Sequence, residues 1–285
     1  MSGYPLFFRR LRIPGWMREG RPDVRSPVGL GEGPGRPALL GNAALLRAGA
    51  GGVGEEGGEG PRIILKENPM GEPEIVLIVA GGEVDREALR QAASRARWIL
   101  AADGGAAHLR AIGVMPHRVI GDLDSMDSET FAWLEQIGAP IERHPVDKDA
   151  TDLELALEYA RQLRGAIRVF GGWGSRLDQT VASLLLLAHP RWAGWDIRFV
   201  GGGREAFVLR GEGWIEGQPG DRVSLIPLTG DAEGVTLEGL FYPLQEGVLP
   251  FGSTLGISNR MIAPRARIRV RRGLLLVIHE RGEPD

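Results

Sequence analysis

The sequence predicts an α/β protein: a doubly wound, mostly parallel sheet with helices on both faces, followed by a smaller all-β sandwich. Two observations predict it. From Glu74 to Val200, apolar runs of strand length alternate with stretches of helical period, the pattern of a parallel sheet whose crossovers are helices. After Gly201-Gly202-Gly203 the helical period disappears and short strands dominate. The expected units are therefore residues 71–203 and 204–285, preceded by a distinct segment, 1–70.

That first segment holds 15 Gly and 8 Pro, with no sustained period of either kind, which is the composition of low-complexity chain. Two readings stand for it. It is a flexible natural extension, or translation begins at Met70, where Lys66-Glu67 can be encoded by a purine-rich ribosome-binding sequence.

The first strand is the continuous apolar run Ile75 to Ala80, buried on both faces, and the helix Asp85 to Arg97 follows. The alternation then gives strand Trp98 to Ala102, helix Ala106 to Ile112, strand Arg118 to Ile120, helix Ser128 to Ile137 and strand Ile141 to His144. Helix Asp152 to Leu163 has the strongest signature: Thr151 and Glu154 form a capping box, and Leu153, Ala156, Leu157 and Ala160 make one apolar stripe. Strand Ile167 to Phe170, helix Leu177 to Ala188 and strand Ile197 to Val200 complete the half. In the second half the expected strands are Ala206 to Leu209, Gly213 to Glu216, Arg222 to Pro227 and Gly234 to Leu237. A terminal hairpin is expected to pair Ala266 to Val270 with Leu274 to His279 through a turn at Arg272-Gly273.

Composition narrows the chemistry. A formal charge of −3 and a pI near 6.0 provide no broad positive surface, which disfavours nucleic-acid and membrane partners. With no cysteine, thiolate nucleophiles, disulfides and Cys-ligated zinc are excluded, and a hard cation on oxygen ligands fits best. No apolar stretch approaches the ~20 residues needed to span a bilayer, and the first residues lack a signal peptide's apolar core, so a cytoplasmic location is expected.

In an open parallel sheet, ligands bind beyond the carboxyl ends of the strands. The segments there are Gly81-Gly82, Asp103-Gly104-Gly105, Gly121-Asp122-Leu123-Asp124-Ser125, Asp147-Lys148-Asp149-Ala150-Thr151-Asp152 and Gly171-Gly172-Trp173-Gly174-Ser175-Arg176-Leu177-Asp178. Several carboxylates on one edge repel each other unless a cation neutralises them, and Mg²⁺ is the natural candidate. Asp122 and Asp124, two apart on an extended loop, turn to one side and are the expected ligands. Taken alone, Asp127 and Asp149 read as helix caps. Gly171-Gly172 before a helix suits a phosphate, Arg176 a bidentate clamp, and Asp178 a further metal or sugar contact. The segment lacks both the P-loop ending and the dinucleotide fingerprint. Lys148 either follows a transferring phosphoryl group or neutralises Asp147 and Asp149. His108 and His144 read as structural.

Together these segments, with Ser258-Asn259, resemble thiamine pyrophosphokinase over about residues 74 to 280. The resemblance implies an α/β ATP-binding catalytic domain, a thiamine-binding β-sandwich, and a homodimer with active sites shared between subunits. Carried over position by position, it implies that Asp122 and Asp124 hold Mg²⁺. Asp103, Gly104, Gly105, Lys148, Thr151, Asp152, Gly171, Gly172, Arg176 and Asp178 then line the ATP and reacting-group site, with Asp122, Asp124, Asp152 and Arg176 as its catalytic set. Ser258 and Asn259 contact thiamine. Ala107, Gln179 and Arg260 depart from the usual pattern, where Asn, His and an acidic residue often stand. The reaction implied is attack of thiamine's primary alcohol on the β-phosphorus of ATP with release of AMP. Its rivals are the same transfer to a hydroxymethylpterin and a nucleotide sensor without turnover.

Overall fold

The computed structural model describes residues 71–282, so the expectations for residues 1–70 lie outside it. The first half alternates β1 (Ile75–Val79), α1 (Arg86–Arg95), β2 (Trp98–Ala102), α2 (Gly105–Ile112), β3 (Arg118–Gly121), α3 (Ser128–Ile137), β4 (Ile141–Arg143), α4 (Asp152–Leu163), β5 (Ala166–Phe170), α5 (Leu177–Leu186) and β6 (Ile197–Gly201). The second half contains β7 (Arg204–Leu209), β8 (Glu212–Glu216), β9 (Arg222–Pro227), β10 (Ala232–Glu238), β11 (Leu244–Leu249), β12 (Asn259–Arg260), β13 (Arg265–Arg269) and β14 (Leu275–Glu280).

Helix starts follow the side-chain chemistry of the sequence. Asp85 accepts a bond from the Ala88 N–H at 2.7 Å, and Asp127 one from the Thr130 N–H at 2.8 Å, each satisfying a donor of the first turn. Thr151 caps α4 through the Glu154 N–H at 3.2 Å. The capping box expected there is only half formed, because the Glu154 carboxylate is taken by Arg191, a charged partner that outcompetes a backbone N–H. The stripe Leu153, Ala156, Leu157 and Ala160 is buried as its period requires. Leu157 is fully buried and contributes about 2 kcal/mol relative to exposure.

The strands order as β12-β9-β14-β7-β6-β5-β1-β2-β3-β4 in one ten-stranded sheet, and as β11-β10-β13-β8 in a second. From β6 to β4 every pairing is parallel; β7, β14, β9 and β12 continue the same sheet antiparallel. Hydrogen bonding therefore runs unbroken across the turn at Gly201 to Gly203. Three cores surround this sheet. One lies against α4 and α5, and a second against α1, α2 and α3. The third fills the sandwich between β7, β9 and β14 and the four-stranded sheet.

The expected terminal hairpin is not formed. β13 pairs with β10 and β8, whereas β14 pairs with β7 and β9, so the connection at Gly273 crosses between sheets. The reason is burial. Ala266 and Ile268 on β13 and Leu275 and Val277 on β14 all belong to the sandwich core, and they meet it from opposite sides. Backbone N–H groups of Arg271 and Arg272 donate to the Glu233 carbonyl at 3.0 and 3.1 Å and hold the crossover against β10.

Candidate active site

Chain order in the parallel half reverses between β1 and β5, and the loops at that switch point touch through bare backbone. The Gly82 N–H donates to the Gly171 carbonyl at 2.9 Å, and the Glu83 N–H to that of Trp173 at 2.9 Å. A Cβ on Gly82 would lie 2.1 Å from the Trp173 oxygen, and one on Gly105 would lie 1.9 Å from that of Val79. Gly171 and Gly172 are equally constrained, by the Ala80 carbonyl and the Phe199 ring. Close packing alone requires these glycines, whatever they do for a ligand.

Beside this crevice, the ends of β2 and β3 and the start of α4 bring together Asp103, Asp122, Asp124, Lys148 and Asp152. One carboxylate oxygen from each of Asp103, Asp122 and Asp124 lies within 4.8 Å of the others. Local backbone is bent to allow it. Asp103 and Leu123 have φ of 42° and 69°, left-handed values that Asp tolerates better than Leu. Gly121, at φ 155°, leaves the space into which Asp103 and Asp152 close; a Cβ there would lie 3.1 Å from Asp103 Cβ and 3.2 Å from Asp152 Cγ.

Lys148 Nζ lies 2.5 Å from Asp122 Oδ2 and 3.0 Å from Asp152 Oδ1. The reading that it neutralises Asp147 and Asp149 is thus replaced: the fold draws it inward, to 14% side-chain exposure. Burial works against its charge, but the bonds to Asp122 and Asp152 outweigh that, and the ammonium is held above its ordinary value. The hydrogen bond from Lys148 holds Asp122 below the usual carboxylate range. Asp124 is pushed up by its contact with Asp122 and by that group's charge. Asp152 is pushed up chiefly by burial. One cation does not serve four carboxylates.

The donor set suits a hard divalent ion. The candidate donors are all carboxylate oxygens, and Asp103 Oδ1 is buried without a protein partner while Ser125 Oγ donates to its other oxygen. Sequence reasoning gives Asp103 to the ATP site; the geometry groups it with Asp122 and Asp124 as a carboxylate that could hold a metal, with Ser125 as its anchor.

The other expected residues divide. Thr151 caps α4, so one lone pair of its hydroxyl is already used. Arg176 and Asp178 pair with each other at the start of α5, at 2.6 and 3.1 Å, each with 66% side-chain exposure, and the Arg176 fork holds Asp178 down to about 2. His108 bonds the Gly82 carbonyl at 2.9 Å and His144 contacts Glu142 at 3.2 Å. Ser258, at φ 60°, is exposed. Asn259 is buried: its Oδ1 accepts from the N–H groups of Tyr242 and Arg260, each at 2.9 Å, and its Nδ2 donates to the Tyr242 carbonyl at 2.8 Å. That amide fixes an aromatic pair sequence reasoning missed, Phe241 and Tyr242, which are 51% and 61% exposed and meet edge to face at 5.0 Å. Adjacent exposed aromatics after the Gly239 turn are the signal that marks them.

Ser258 and Asn259 stand at one margin of the ten-stranded sheet, seven strands from β2. At ~4.8 Å per strand that is about 34 Å along the sheet.

Comparison with known proteins agrees with this architecture. Residues 89–198 match the family model "Thiamin pyrophosphokinase, catalytic domain", and residues 215–275 match "Thiamin pyrophosphokinase, vitamin B1 binding domain". Thiamine pyrophosphokinase of Bacillus subtilis (strain 168) is 32% identical over 184 residues, covering 64% of this chain and 86% of that protein. The crystal structure of the Bacillus subtilis enzyme superposes with a TM-score of 0.67 at 28% identity, over 74% of this chain and all of that one. That of the Geobacillus thermodenitrificans protein gives 0.65 at 29%, over 73% and 98%. The two family models fall on the α/β half and the sandwich in chain order, and the conclusion is that this chain belongs to the thiamine pyrophosphokinase family.

Proposed function

We propose that this chain is a thiamine diphosphokinase that transfers the diphosphoryl group of ATP to the primary alcohol of thiamine and releases AMP. The observation that carries it is the carboxylate cluster on the carboxyl edge of the parallel sheet, in a chain that also bears the sandwich matched by the vitamin B1 binding model. Asp122 and Asp124, with Asp103 behind them, would hold Mg²⁺, which when bound neutralises phosphate charge and orients the β- and γ-phosphates. Gly104, Gly105, Gly171 and Gly172 line the crevice through which the nucleotide approaches. Thr151 and Asp178, at the starts of α4 and α5, would contact it there. Arg176, freed from Asp178, offers a fork to phosphate oxygens. Lys148, now paired with Asp122 and Asp152, would swing its ammonium onto the moving diphosphoryl group, and Asp152, with its pKa raised by burial, would accept the alcohol proton. Most of the rate comes from positioning and charge. A coupled assay is expected to show AMP release with thiamine and none with a hydroxymethylpterin. Turnover with the pterin alone would replace the substrate, and ATP binding without AMP release would replace the enzyme with a sensor.

The span of about 34 Å argues that Ser258, Asn259, Phe241 and Tyr242 serve the acidic edge of a second subunit in a homodimer. α5 supports this, since it exposes Leu177, Val181 and Leu185 at four-residue spacing. Ser258→Ala is expected to raise KM for thiamine with little change in KM for ATP. Asn259→Ala is expected to do the same and also to cost about 1–3 kcal/mol of stability, because the Tyr242 N–H and carbonyl lose their partner. Equal effects on both KM values would remove the thiamine role. Mixing an Asp122→Asn protein with a Ser258→Ala/Asn259→Ala protein should restore part of the activity; subunit exchange without recovery would exclude a shared site. A biosynthetic kinase of this kind belongs in the cytoplasm, and among the described residues no helix is long and apolar enough to cross a membrane.

A further inference from the structure

On the face of the ten-stranded sheet that carries α1, no helix covers β5 and β6 among the described residues, and a cleft of about 780 Å³ opens there between α1 and β8. Its lining is rich in arginine. Arg95, Arg168, Arg198, Arg204 and Arg281 line it with Glu205 and Glu216, and Asp196, Glu205 and Glu280 pair with three of these arginines, which leaves Arg95 and Arg281 as its unmatched cations among the described residues. The five arginines come from α1, β5, β6, β7 and the segment just after β14, so the concentration is a product of the fold and not of a basic run.

The arginines fall into two groups. Arg168 and Arg198 are held on the floor by Asp196, at 2.8 and 3.2 Å, and Arg198 also by Glu205 at 3.0 Å; their guanidinium planes are fixed before any ligand arrives. Arg95 and Arg281 have no acidic partner among the described residues, and Arg204 has only a surface pair with Glu280. The Arg281 N–H donates to the Gly203 carbonyl at 2.9 Å, which sets that residue at the mouth beside Gly202 and Gly203, where a Cβ would meet open space. Trp214, 41% exposed and covered on its ring by Arg265 at 4.1 Å, lines the side toward β8. Unpaired guanidinium forks above a rigid, charge-balanced floor recognise phosphate oxygens, and the volume is within the ~300–1,000 Å³ of small-ligand sites. None of Asp103, Asp122, Asp124 and Asp152 lines the cleft.

We propose that this cleft is a second site, independent of metal, for a small phosphate-bearing anion of nucleotide size. It stands whichever alcohol accepts the diphosphoryl group.

Inorganic triphosphate in the presence of EDTA separates the two sites, because without a divalent cation the acidic cluster repels it while the arginine cleft attracts it. Calorimetric titration of the full chain is expected to show saturable binding that weakens as salt rises. Arg95→Ser/Arg281→Ser removes two exposed, unpaired charges without disturbing the core, and is expected to weaken that binding at least about tenfold. Asp122→Asn is expected to leave it unchanged. Absence of saturable binding in EDTA, equal affinity in the arginine variant, or loss of binding in Asp122→Asn would each overturn the proposal.

Discussion

Asp122→Asn and Asp124→Asn are each expected to lower kcat by about 10³-fold while leaving the melting temperature close to that of the parent. The substitution keeps side-chain volume and removes one anionic group from the set proposed to hold Mg²⁺, whose charge would supply several kcal/mol of stabilisation at the reacting phosphates. Folding is spared because Lys148 retains its ion pair with Asp152 at 3.0 Å when Asp122 is neutral, and because Asp124 is exposed. AMP release at saturating Mg²⁺, measured beside thermal unfolding, checks both halves. Near-normal turnover in both variants would remove the metal assignment.

The second large effect is on stability. His279 is buried, with Nε2 at 2.9 Å from Asp221 Oδ2 and Nδ1 at 3.3 Å from Glu205 Oε1, and Glu205 in turn reaches Arg198 at 3.0 Å. This network ties β14 to β7, to β6 and to the start of β9. Burial opposes the charge on His279, yet its bonds to Glu205 and Asp221 outweigh that and raise it above 6.5. Glu205 is likewise opposed by burial but is drawn down from 4.5 to about 2 by His279 and Arg198. His279→Ala leaves Asp221 and Glu205 buried without this cation and is expected to cost about 3 kcal/mol in urea unfolding at pH 6. The signs of the pH dependence follow. The histidine's contribution is complete below pH 6.5 and is lost as pH rises through its higher folded value; that of Glu205 is present above pH 4.5 and is lost as pH falls toward about 2. In the variant the alkaline loss should be absent. A change below about 1 kcal/mol, the range of an exposed pair, would show that the network contributes little.

The fold was legible where a signal was local. β2, α3, α4 and β9 have the bounds that apolar period and caps indicate, because each buries its own stripe. The pairing of β13 and β14 was not legible: a turn between two alternating strands looks alike whether they lie side by side or face each other across a sandwich. β12 has two residues and no period to detect.

The site shows the same division. The acidic residues could be collected from sequence because strand ends in a parallel sheet converge by rule. Lys148 could not be assigned its partners, since Asp147 and Asp149 are its chain neighbours while the fold delivers Asp122 and Asp152. The resemblance alone singles out Asn259, and its bonds to Tyr242 depend on two segments 17 residues apart. The five arginines of the cleft leave no trace in the sequence at all.

The unbroken ladder from β12 to β4 makes the sheet a ruler. Each strand-to-strand step adds about −20° of twist, so seven steps turn the strand bearing Asn259 by about 140° from the one that ends just before Asp103. Both separation and bearing are thereby written in hydrogen bonds rather than left to a tether. A linker would let a thiamine-reading loop wander and lose effective concentration at the site it serves, whereas a rigid span presents it at one reach and one angle. In the proposed dimer, lengthening the turn at Gly201 to Gly203 should therefore change chain length without changing the distance between the two half-sites.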